Sequence, residues 1–224
     1  MGIACGGMTP TRVFGWLAAL GLAAGLLMGF GVAPRELTQG NVQRIMYLHV
    51  PAAWVAYLAF GVVFVASIAY LATRAAAADR IAHASSEAGV VFTGLAIAAG
   101  SIWGKPTWGT WWTWDARLTT TAILFVIYLG YLLLRGMVDD RERGARYAAV
   151  VGIVGALDIP LVHFSVLWWR TLHQPPSVGR PEASSMDPII LTALLVNVAA
   201  FTLLYLFFVA KGVRVLRREE EALA

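Results

Sequence analysis

Six long apolar runs, separated by short polar stretches, dominate the pattern of hydrophobic and polar positions along the chain. A helix needs about 20 apolar residues to cross the hydrocarbon core of a membrane, and each run is close to that length. The sequence therefore predicts an all-α fold, a bundle of six transmembrane helices that forms a single integral membrane domain over residues 1–224. The predicted spans are 13–33, 52–72, 84–103, 120–138, 147–167 and 188–210.

The composition supports this prediction and excludes several classes of function. Of the 224 residues, 59% are hydrophobic and 13% are charged, whereas a soluble domain carries about 25% charged residues. The net charge of +4 does not indicate a nucleic-acid partner, because membrane proteins concentrate Lys and Arg in their cytoplasmic loops. The single cysteine, Cys5, excludes a disulfide within the chain and a cysteine-based metal site.

The positive charges favour one orientation of the bundle. Six spans place both termini on the same side, and that side carries eleven of the 17 Lys and Arg residues. The positive-inside rule therefore predicts that both termini are cytoplasmic. The eleven are Arg12, Arg74, Arg80, Arg135, Arg141, Arg143, Arg146, Lys211, Arg214, Arg217 and Arg218, and the outer six are Arg35, Arg44, Lys105, Arg117, Arg170 and Arg180.

Residues 103–119 form a tryptophan-rich loop between the third and fourth spans, on the predicted outer side. They hold five of the nine tryptophans: Trp103, Trp108, Trp111, Trp112 and Trp114. An ordinary aromatic belt at the membrane surface is one interpretation. If the loop is helical, however, Trp108, Trp111, Trp112 and Asp115 share one face and form an aromatic shelf for a planar ligand. We expect Asp115 to orient this loop, through the N–H groups of a helix start or through Arg117.

Two histidines lie on the same predicted outer side as this loop. His49 comes just before span two, with Pro51 suited to the first turn of that helix. His173 comes just after span five, whereas His83 falls on the cytoplasmic side. A lone interfacial histidine is usually only a hydrogen-bonding residue. Two histidines beside an aromatic shelf instead favour a haem iron with two axial imidazoles.

Several polar or small residues lie inside the predicted spans. Asp158 and His163 are ionisable groups within span five, where such groups are costly and often functional. A separation of five residues, about 140° around a helix, keeps them from pairing directly, so a buried polar cluster and a ligand pocket remain equal alternatives. Asn197 is expected to form an interhelical hydrogen bond. The glycine ladder of span one, which allows close packing within the bundle or against a partner subunit, comprises Gly21, Gly25 and Gly29.

Three segments resemble one known family. Residues 108–119 resemble the tryptophan-rich WWD signature of haem-handling membrane proteins, and residues 48–54 and 164–174 are similar to motifs of one group within it. That group is the CcmC family, the haem-delivery subunits of the system I cytochrome c maturation pathway. The order of His, WWD and His and the plan of six spans cover nearly the whole chain. Leu167 departs from the pattern, because many members carry an acidic residue there.

The resemblance implies a protein of the bacterial inner membrane that binds haem b non-covalently on the periplasmic side. It implies that His49 and His173 are the axial ligands, and that the chain presents haem to the chaperone CcmE alongside the subunits CcmA, CcmB and CcmD. Trp103 and Arg117 complete the candidate haem-binding set. The residues that match the WWD face of the family are Trp108, Trp111, Trp112, Trp114 and Asp115.

Several questions of chemistry stay open at this point. The outer cations available for the haem propionates are Arg44, Lys105, Arg117 and Arg170. No Ser-His-Asp or Cys-His arrangement is visible, so we expect the chain to position haem rather than to supply a nucleophile. Two other functions remain. A small-molecule transporter would need internal repeats or broken helices, and a structural membrane subunit would hold no haem of its own.

Overall fold

A computed structural model describes residues 10–174 and 186–223 of the chain, so Cys5 and Arg180 lie outside it. These two ranges contain helices and no β-strand, and six helical segments are long and apolar enough to cross a membrane. The predicted all-α bundle of six spans is therefore confirmed. The helices are α1 (Pro10–Leu26), α2 (Met46–Thr73), α3 (Ala76–Trp108), α4 (Ala116–Met137), α5 (Arg141–Ala156), α6 (Asp158–Trp168) and α7 (Pro188–Leu223).

Several helices extend beyond the predicted spans. A π-helical segment, Leu27–Val32, continues α1, and a 3₁₀ turn, Val42–Ile45, leads directly into α2. As a result His49 lies within α2 rather than before it, and the prediction that Pro51 belongs to the first turn is wrong. A proline at this position removes one helical hydrogen bond near the helix start, and the helix continues through it.

The fifth span is broken into two helices. Helix α5 ends at Ala156 and α6 begins at Asp158, and Leu157 bonds to the Val154 carbonyl at 3.1 Å. Pro160 accounts for the break, because it has no N–H to donate to the carbonyl four residues earlier and its ring crowds that carbonyl. Asp158 is only 8% exposed, and its Oδ2 has no hydrogen-bond partner within the described ranges.

Helix α2 is the centre of the bundle and packs against α3, α5 and α7. Its Phe60 stacks on Tyr128 of α4 with ring centroids 3.7 Å apart, and both rings are fully buried. A Cβ at Gly89 of α3 would lie 2.4 Å from the Phe60 ring, so the small residue lets α3 approach α2. Aromatic stacking and close backbone approach therefore hold the central helices together.

The glycine ladder of α1 packs inside the bundle, against α7 and α2. Asn197 of α7 donates from Nδ2 to the Gly25 carbonyl at 2.9 Å, which confirms the predicted interhelical hydrogen bond. A Cβ at Gly25 would lie 2.6 Å from Asn197 Oδ1, and one at Gly29 would lie 2.6 Å from the Tyr47 ring. These glycines are thus occupied by internal contacts rather than available to a partner subunit.

The two ends of the bundle differ in chemistry. The tryptophan end, residues 33–50, 103–119 and 164–174, holds His49, His173 and seven of the nine tryptophans. At the opposite end, Arg135 forms a bidentate ion pair with Asp79 at 2.6 and 2.8 Å. Glu220 of α7 there contacts two arginines, Arg80 at 2.6 Å and Arg141 at 3.2 Å. These ion pairs join α3, α4, α5 and α7 where the helices leave the apolar zone.

We expect Gly25→Ala to weaken the contact between α1 and α7. The added methyl group would lie 2.6 Å from Asn197 Oδ1, and overpacking of this kind costs about 1–3 kcal/mol. Thermal unfolding in detergent measures the effect. Gly130→Ala on α4 is the matched control, because nothing lies within 4 Å of a Cβ there. Equal melting temperatures for the two variants would show that the α1–α7 contact is not tight.

Candidate functional site

The tryptophan-rich segment is not one continuous helix. Helix α3 continues through Trp108 and ends at Gly109, whose φ of 80° is left-handed, and α4 begins only after Asp115. The predicted shelf, with Trp108, Trp111, Trp112 and Asp115 on one helical face, is therefore wrong. A left-handed glycine ends a helix and an aspartate caps the start of the next one, and these two local signals override the helical spacing.

Four rings instead form a row at the tryptophan end. The ring centroids of His49 and His173 lie 6.3 Å apart, with their planes tilted by 39°. Trp103 meets the His49 ring edge-on at 5.8 Å, and Trp108 meets the His173 ring at 6.2 Å. The structure thus brings together two histidines that are 124 residues apart in the sequence, each with a tryptophan beside it.

His49 of α2 is held by the neighbouring helix α3. Its Nδ1 lies 2.9 Å from the Ala96 carbonyl of α3. Because a carbonyl can only accept, Nδ1 carries the proton, and in the neutral ring the lone pair is on Nε2. Gly100 makes room for the ring, since a Cβ at that position would lie 2.8 Å from His49 Cε1. The ring therefore has one orientation and one tautomer.

His173 has the same tautomer, but its ring is hydrogen-bonded to a different kind of partner. Its Nδ1 donates to the carbonyl of the adjacent Gln174 at 2.8 Å, which again leaves the lone pair on Nε2. Burial, aided by the nearby Arg117 guanidinium, lowers the pKa of His173 to about 4. The ring is thus neutral at pH 7. Bonding of the second ring nitrogen to a carbonyl is the arrangement typical of metal-binding histidines.

Asp115 connects the segment that carries His173 to the start of α4. Its Oδ1 accepts from the N–H of Leu118 at 2.9 Å and so caps α4. Its Oδ2 accepts from the N–H of Leu172, the neighbour of His173, at 3.0 Å. Hydrogen bonds to a carboxylate are stronger than those between neutral groups. Asp115 therefore determines where the His173 segment lies.

The remaining tryptophans lie around this row rather than in it. Trp111 and Trp114 are 57% and 78% exposed. Trp112 is half-buried and meets the Trp114 ring edge-on at 5.5 Å. The exposed rings of Trp111 and Trp114 form an apolar rim at the tryptophan end. His163 lies apart from the pair, with its ring near Tyr57 and Phe164.

The four candidate cations have different surroundings. Arg44 donates to the carbonyls of Gly29, Phe30 and Ala33 and so caps the π-helical segment after α1. Lys105 donates to the Gly109 carbonyl at 3.0 Å and caps α3. Arg117 donates to the His163 carbonyl over 3.4 Å and also contacts the Tyr57 hydroxyl, and Arg170 is exposed. Two of the four cations are thus bound to helix ends.

Sequence reasoning missed three residues that support the row. They are Ala96 and Gly100, which receive the His49 ring, and Gln39, whose Oε1 accepts from Trp103 Nε1 at 2.8 Å. Ala96, Gly100 and Gly104 recur every four residues on α3, and this small-residue spacing predicts a close helix approach. No comparable signal marks Gln39, because it lies in a loop 64 residues before its partner.

No group of three or more His, Cys, Asp or Glu side chains that could hold a bare metal ion occurs in residues 10–174 and 186–223. The arrangement instead offers two neutral imidazoles whose ring centroids lie 6.3 Å apart, each beside a tryptophan. Such a pair can ligate a metal whose other positions are filled by a non-protein ligand, such as a porphyrin.

Comparison with known proteins finds one matching family profile and several similar proteins. The family profile described as CcmC, heme exporter protein C, matches residues 5–224. Heme exporter protein C of Bradyrhizobium diazoefficiens is 47% identical over 217 residues, which are 95% of this chain and 82% of that protein. The protein of the same name from Escherichia coli is 39% identical, over 89% of this chain and 80% of its own length. A putative cytochrome c biosynthesis ccmC-like mitochondrial protein of Marchantia polymorpha is 36% identical, over 84% and 79%.

We expect His173 to titrate well below an ordinary histidine. Burial favours its neutral form, so the folded protein takes up this proton only near pH 4, whereas the unfolded chain takes it up near 6.5. The contribution of this group to stability is therefore complete above pH 6.5 and is lost as the pH falls toward 4. NMR of ¹³C-labelled histidine, with His173→Gln for assignment, measures the midpoint, and a value near 6.5 would contradict the burial.

Proposed function

The chain belongs to the heme exporter protein C family, and we propose that it binds haem b non-covalently at the tryptophan end, with His49 and His173 as axial ligands on opposite faces of the iron. The observation that carries this proposal is the paired imidazoles, 6.3 Å apart between centroids. A metal–imidazole bond is about 2 Å long, so two imidazoles on opposite sides of one iron have centroids about 6 Å apart. Family membership supports a role in haem handling for cytochrome c maturation.

The protonation of the two rings supports the same assignment. Each Nδ1 donates to a backbone carbonyl, at 2.9 Å for His49 and 2.8 Å for His173. Each Nε2 therefore carries a free lone pair that can bind iron, and neither ring must lose a proton to do so. Haem supplies an iron with two axial positions. With two imidazoles in these positions, no site stays open for oxygen, which suits a protein that holds haem rather than uses it.

The tryptophans have two roles in this proposal. Trp103 and Trp108 stand beside the two ligands and restrict the directions in which the imidazoles can tilt. Trp111 and Trp114 are exposed and are available to cover the porphyrin by stacking and apolar burial. The rim leaves part of the haem edge accessible, as transfer to another protein requires.

Arg117 is the cation that we assign to a haem propionate. Arg44 and Lys105 already cap helix ends, whereas Arg117 caps no helix end, donates to the His163 carbonyl over 3.4 Å, contacts the Tyr57 hydroxyl and lies close enough to His173 to lower the pKa of that histidine. A guanidinium can bind a carboxylate through two parallel hydrogen bonds. Exposed Arg170 is the second candidate for the other propionate.

The destination of the haem follows from the family resemblance. We propose that the tryptophan end faces the periplasm across the inner membrane, with both termini in the cytoplasm, and that it presents haem to the chaperone CcmE. CcmA, CcmB and CcmD are the proposed partner subunits. Within the described ranges, the residues around the histidine pair support holding and positioning, and the nucleophile for any covalent attachment belongs to the acceptor.

A small-molecule transporter is the second candidate function. The break at Leu157 and the buried Asp158 near the middle of span five are features that broken transporter helices share. A transporter, like a purely structural subunit, predicts a colourless purified protein. The absorption spectrum of the detergent-purified chain therefore separates both of these functions from haem binding.

The orientation is tested by cysteine labelling in a Cys5→Ala background. A cysteine at Thr110, in the tryptophan end, should react with an impermeant thiol reagent in spheroplasts. One at Ala77, at the start of α3, should react only after the membrane is opened. The reverse pattern would place the site in the cytoplasm and contradict hand-over to a periplasmic chaperone.

Alanine variants of the two histidines test the ligand assignment. His49→Ala and His173→Ala should each replace the low-spin six-coordinate spectrum by that of a site with lower haem affinity. In that site the iron should be five-coordinate or have a different sixth ligand. The double variant should lose stable haem while the bundle still folds, because the hydrophobic core clusters consist of other residues. His83→Ala is the control, since His83 lies at the opposite end beside Glu87. An unchanged low-spin spectrum in either single variant would exclude that histidine as a ligand.

Gly100→Ala tests the support of His49 without changing a ligand. The added methyl group would lie 2.8 Å from His49 Cε1 and should push the ring away from the Ala96 carbonyl. Loss of such a supporting contact lowers metal-site affinity roughly 10–100-fold, and we expect haem affinity to fall within that range. Gly94→Ala on the same helix is the control, because its nearest contact would be an ordinary 3.5 Å to Phe125. Equal haem retention in the two variants would contradict the role of Gly100.

A further inference from the structure

The two histidines of the site are supported by different amounts of structure. His49 lies within α2, and its ring is hydrogen-bonded to the Ala96 carbonyl of α3. Gly100 and Trp103 of α3 enclose the ring, and Trp103 is itself bonded to Gln39 at 2.8 Å. To leave its position, His49 would have to separate two helices that pack along most of their length.

His173 has less support, because Trp108 at the end of α3 meets its ring at 6.2 Å but the residue itself is not part of a helix. It lies in the non-helical segment 169–174 that follows α6, and the hydrogen bonds of His173 itself are local, to Gln174 and Thr171. Within the part of the chain that the structure describes, one hydrogen bond joins residues 170–174 to another element. It is the 3.0 Å bond from the Leu172 N–H to Asp115 Oδ2.

Asp115 divides its two carboxylate oxygens between two tasks. Oδ1 caps α4 through the Leu118 N–H at 2.9 Å, and Oδ2 holds Leu172. A neutral asparagine has one acceptor oxygen and could perform only one of these tasks. The negative charge also strengthens both bonds, so the position of His173 depends on this carboxylate.

We infer that the two axial ligands are unequal: His49 is the fixed ligand, and His173 is the exchangeable one, held in place by Asp115 as a positioning residue. This inference rests on the proposed haem site and adds an order of events to it. During hand-over the bond between iron and His173 Nε2 breaks first, and a lone pair from the acceptor's ligand forms the new bond. The oxidation state of the iron does not change, and Nδ1 of His173 keeps its proton.

The inference gives Asp115 a role that differs from direct contact with haem. A carboxylate beside two propionates would repel them, whereas a carboxylate bonded to backbone N–H groups is already occupied. Loss of its charge should therefore leave the ligand set unchanged and increase the rate at which His173 leaves the iron. The low-spin spectrum should persist in the absence of a competitor.

Ligand exchange with free imidazole tests the difference between the two histidines. In haem-loaded Asp115→Asn, imidazole should replace the protein ligand about tenfold faster than in the unaltered chain. Asp140→Asn is the matched control, because Asp140 caps α5 through the Arg143 N–H at 2.7 Å and lies at the opposite end. Equal exchange rates in Asp115→Asn and Asp140→Asn would overturn the role of Asp115.

Cavity variants identify which ligand is exchangeable. Free imidazole should restore the six-coordinate spectrum of His173→Gly, because a movement of the segment 169–174 is enough to admit it. It should fail to restore that of His49→Gly, where α2 and α3 close the space. Rescue of His49→Gly but not of His173→Gly would reverse the assignment, and equal rescue of both would show that the ligands are equivalent.

Hydrogen exchange in the haem-free protein provides a readout that does not depend on the ligand. Peptides covering residues 169–174 should exchange faster in Asp115→Asn than in Asp140→Asn, while peptides covering His49 should be unchanged. Equal protection of residues 169–174 in the two variants would overturn the inference. If the unaltered chain binds haem without a bis-imidazole spectrum, the proposed function itself fails, and that result is distinct from either outcome above.

Discussion

An imidazole on one membrane helix can reach a backbone carbonyl of the next helix only where no side chain stands between them, and α2 and α3 meet that condition at Gly100. The absence of a side chain there lets the His49 ring reach the Ala96 carbonyl on the neighbouring helix. That hydrogen bond determines the tautomer and the direction of the ring. Trp103 packs edge-on against this ring, and the centroid of the His173 ring lies 6.3 Å from that of His49. The geometry of the tryptophan end therefore depends on a close contact inside the bundle.

Helix ends supply the rest of the site. Gly109 ends α3 in a left-handed conformation, and Asp115 starts α4, so the chain reverses between them and leaves Trp111 and Trp114 exposed. The cap is also the connection to the segment that carries His173, because the second oxygen of Asp115 accepts from the Leu172 N–H. Carboxylates commonly cap helices in this way. The unusual feature is that one carboxylate joins a helix start to a segment from a different span.

The sequence predicts the bundle well because apolar length alone marks the six spans, and it predicts the interhelical bond of Asn197 because a lone amide in a span needs a partner. It is less informative about the site. The i, i+3, i+4 spacing of the tryptophans suggests a helical face, yet the chain breaks at Gly109, and a left-handed glycine is visible only in the folded chain. The support of His173 by Asp115 joins residues 57 positions apart, so no local pattern could reveal it.

The central claim is that His49 and His173 bind the two faces of one haem iron, and X-ray absorption at the iron edge of the haem-loaded protein tests it most directly. We predict an iron with four porphyrin nitrogens and two further imidazole nitrogens at about 2 Å, the usual length of a metal–imidazole bond. Multiple scattering from the imidazole rings should fit two such rings in the unaltered chain and one in His173→Ala. A five-coordinate iron in the unaltered chain, or an axial position filled by water, would contradict the account.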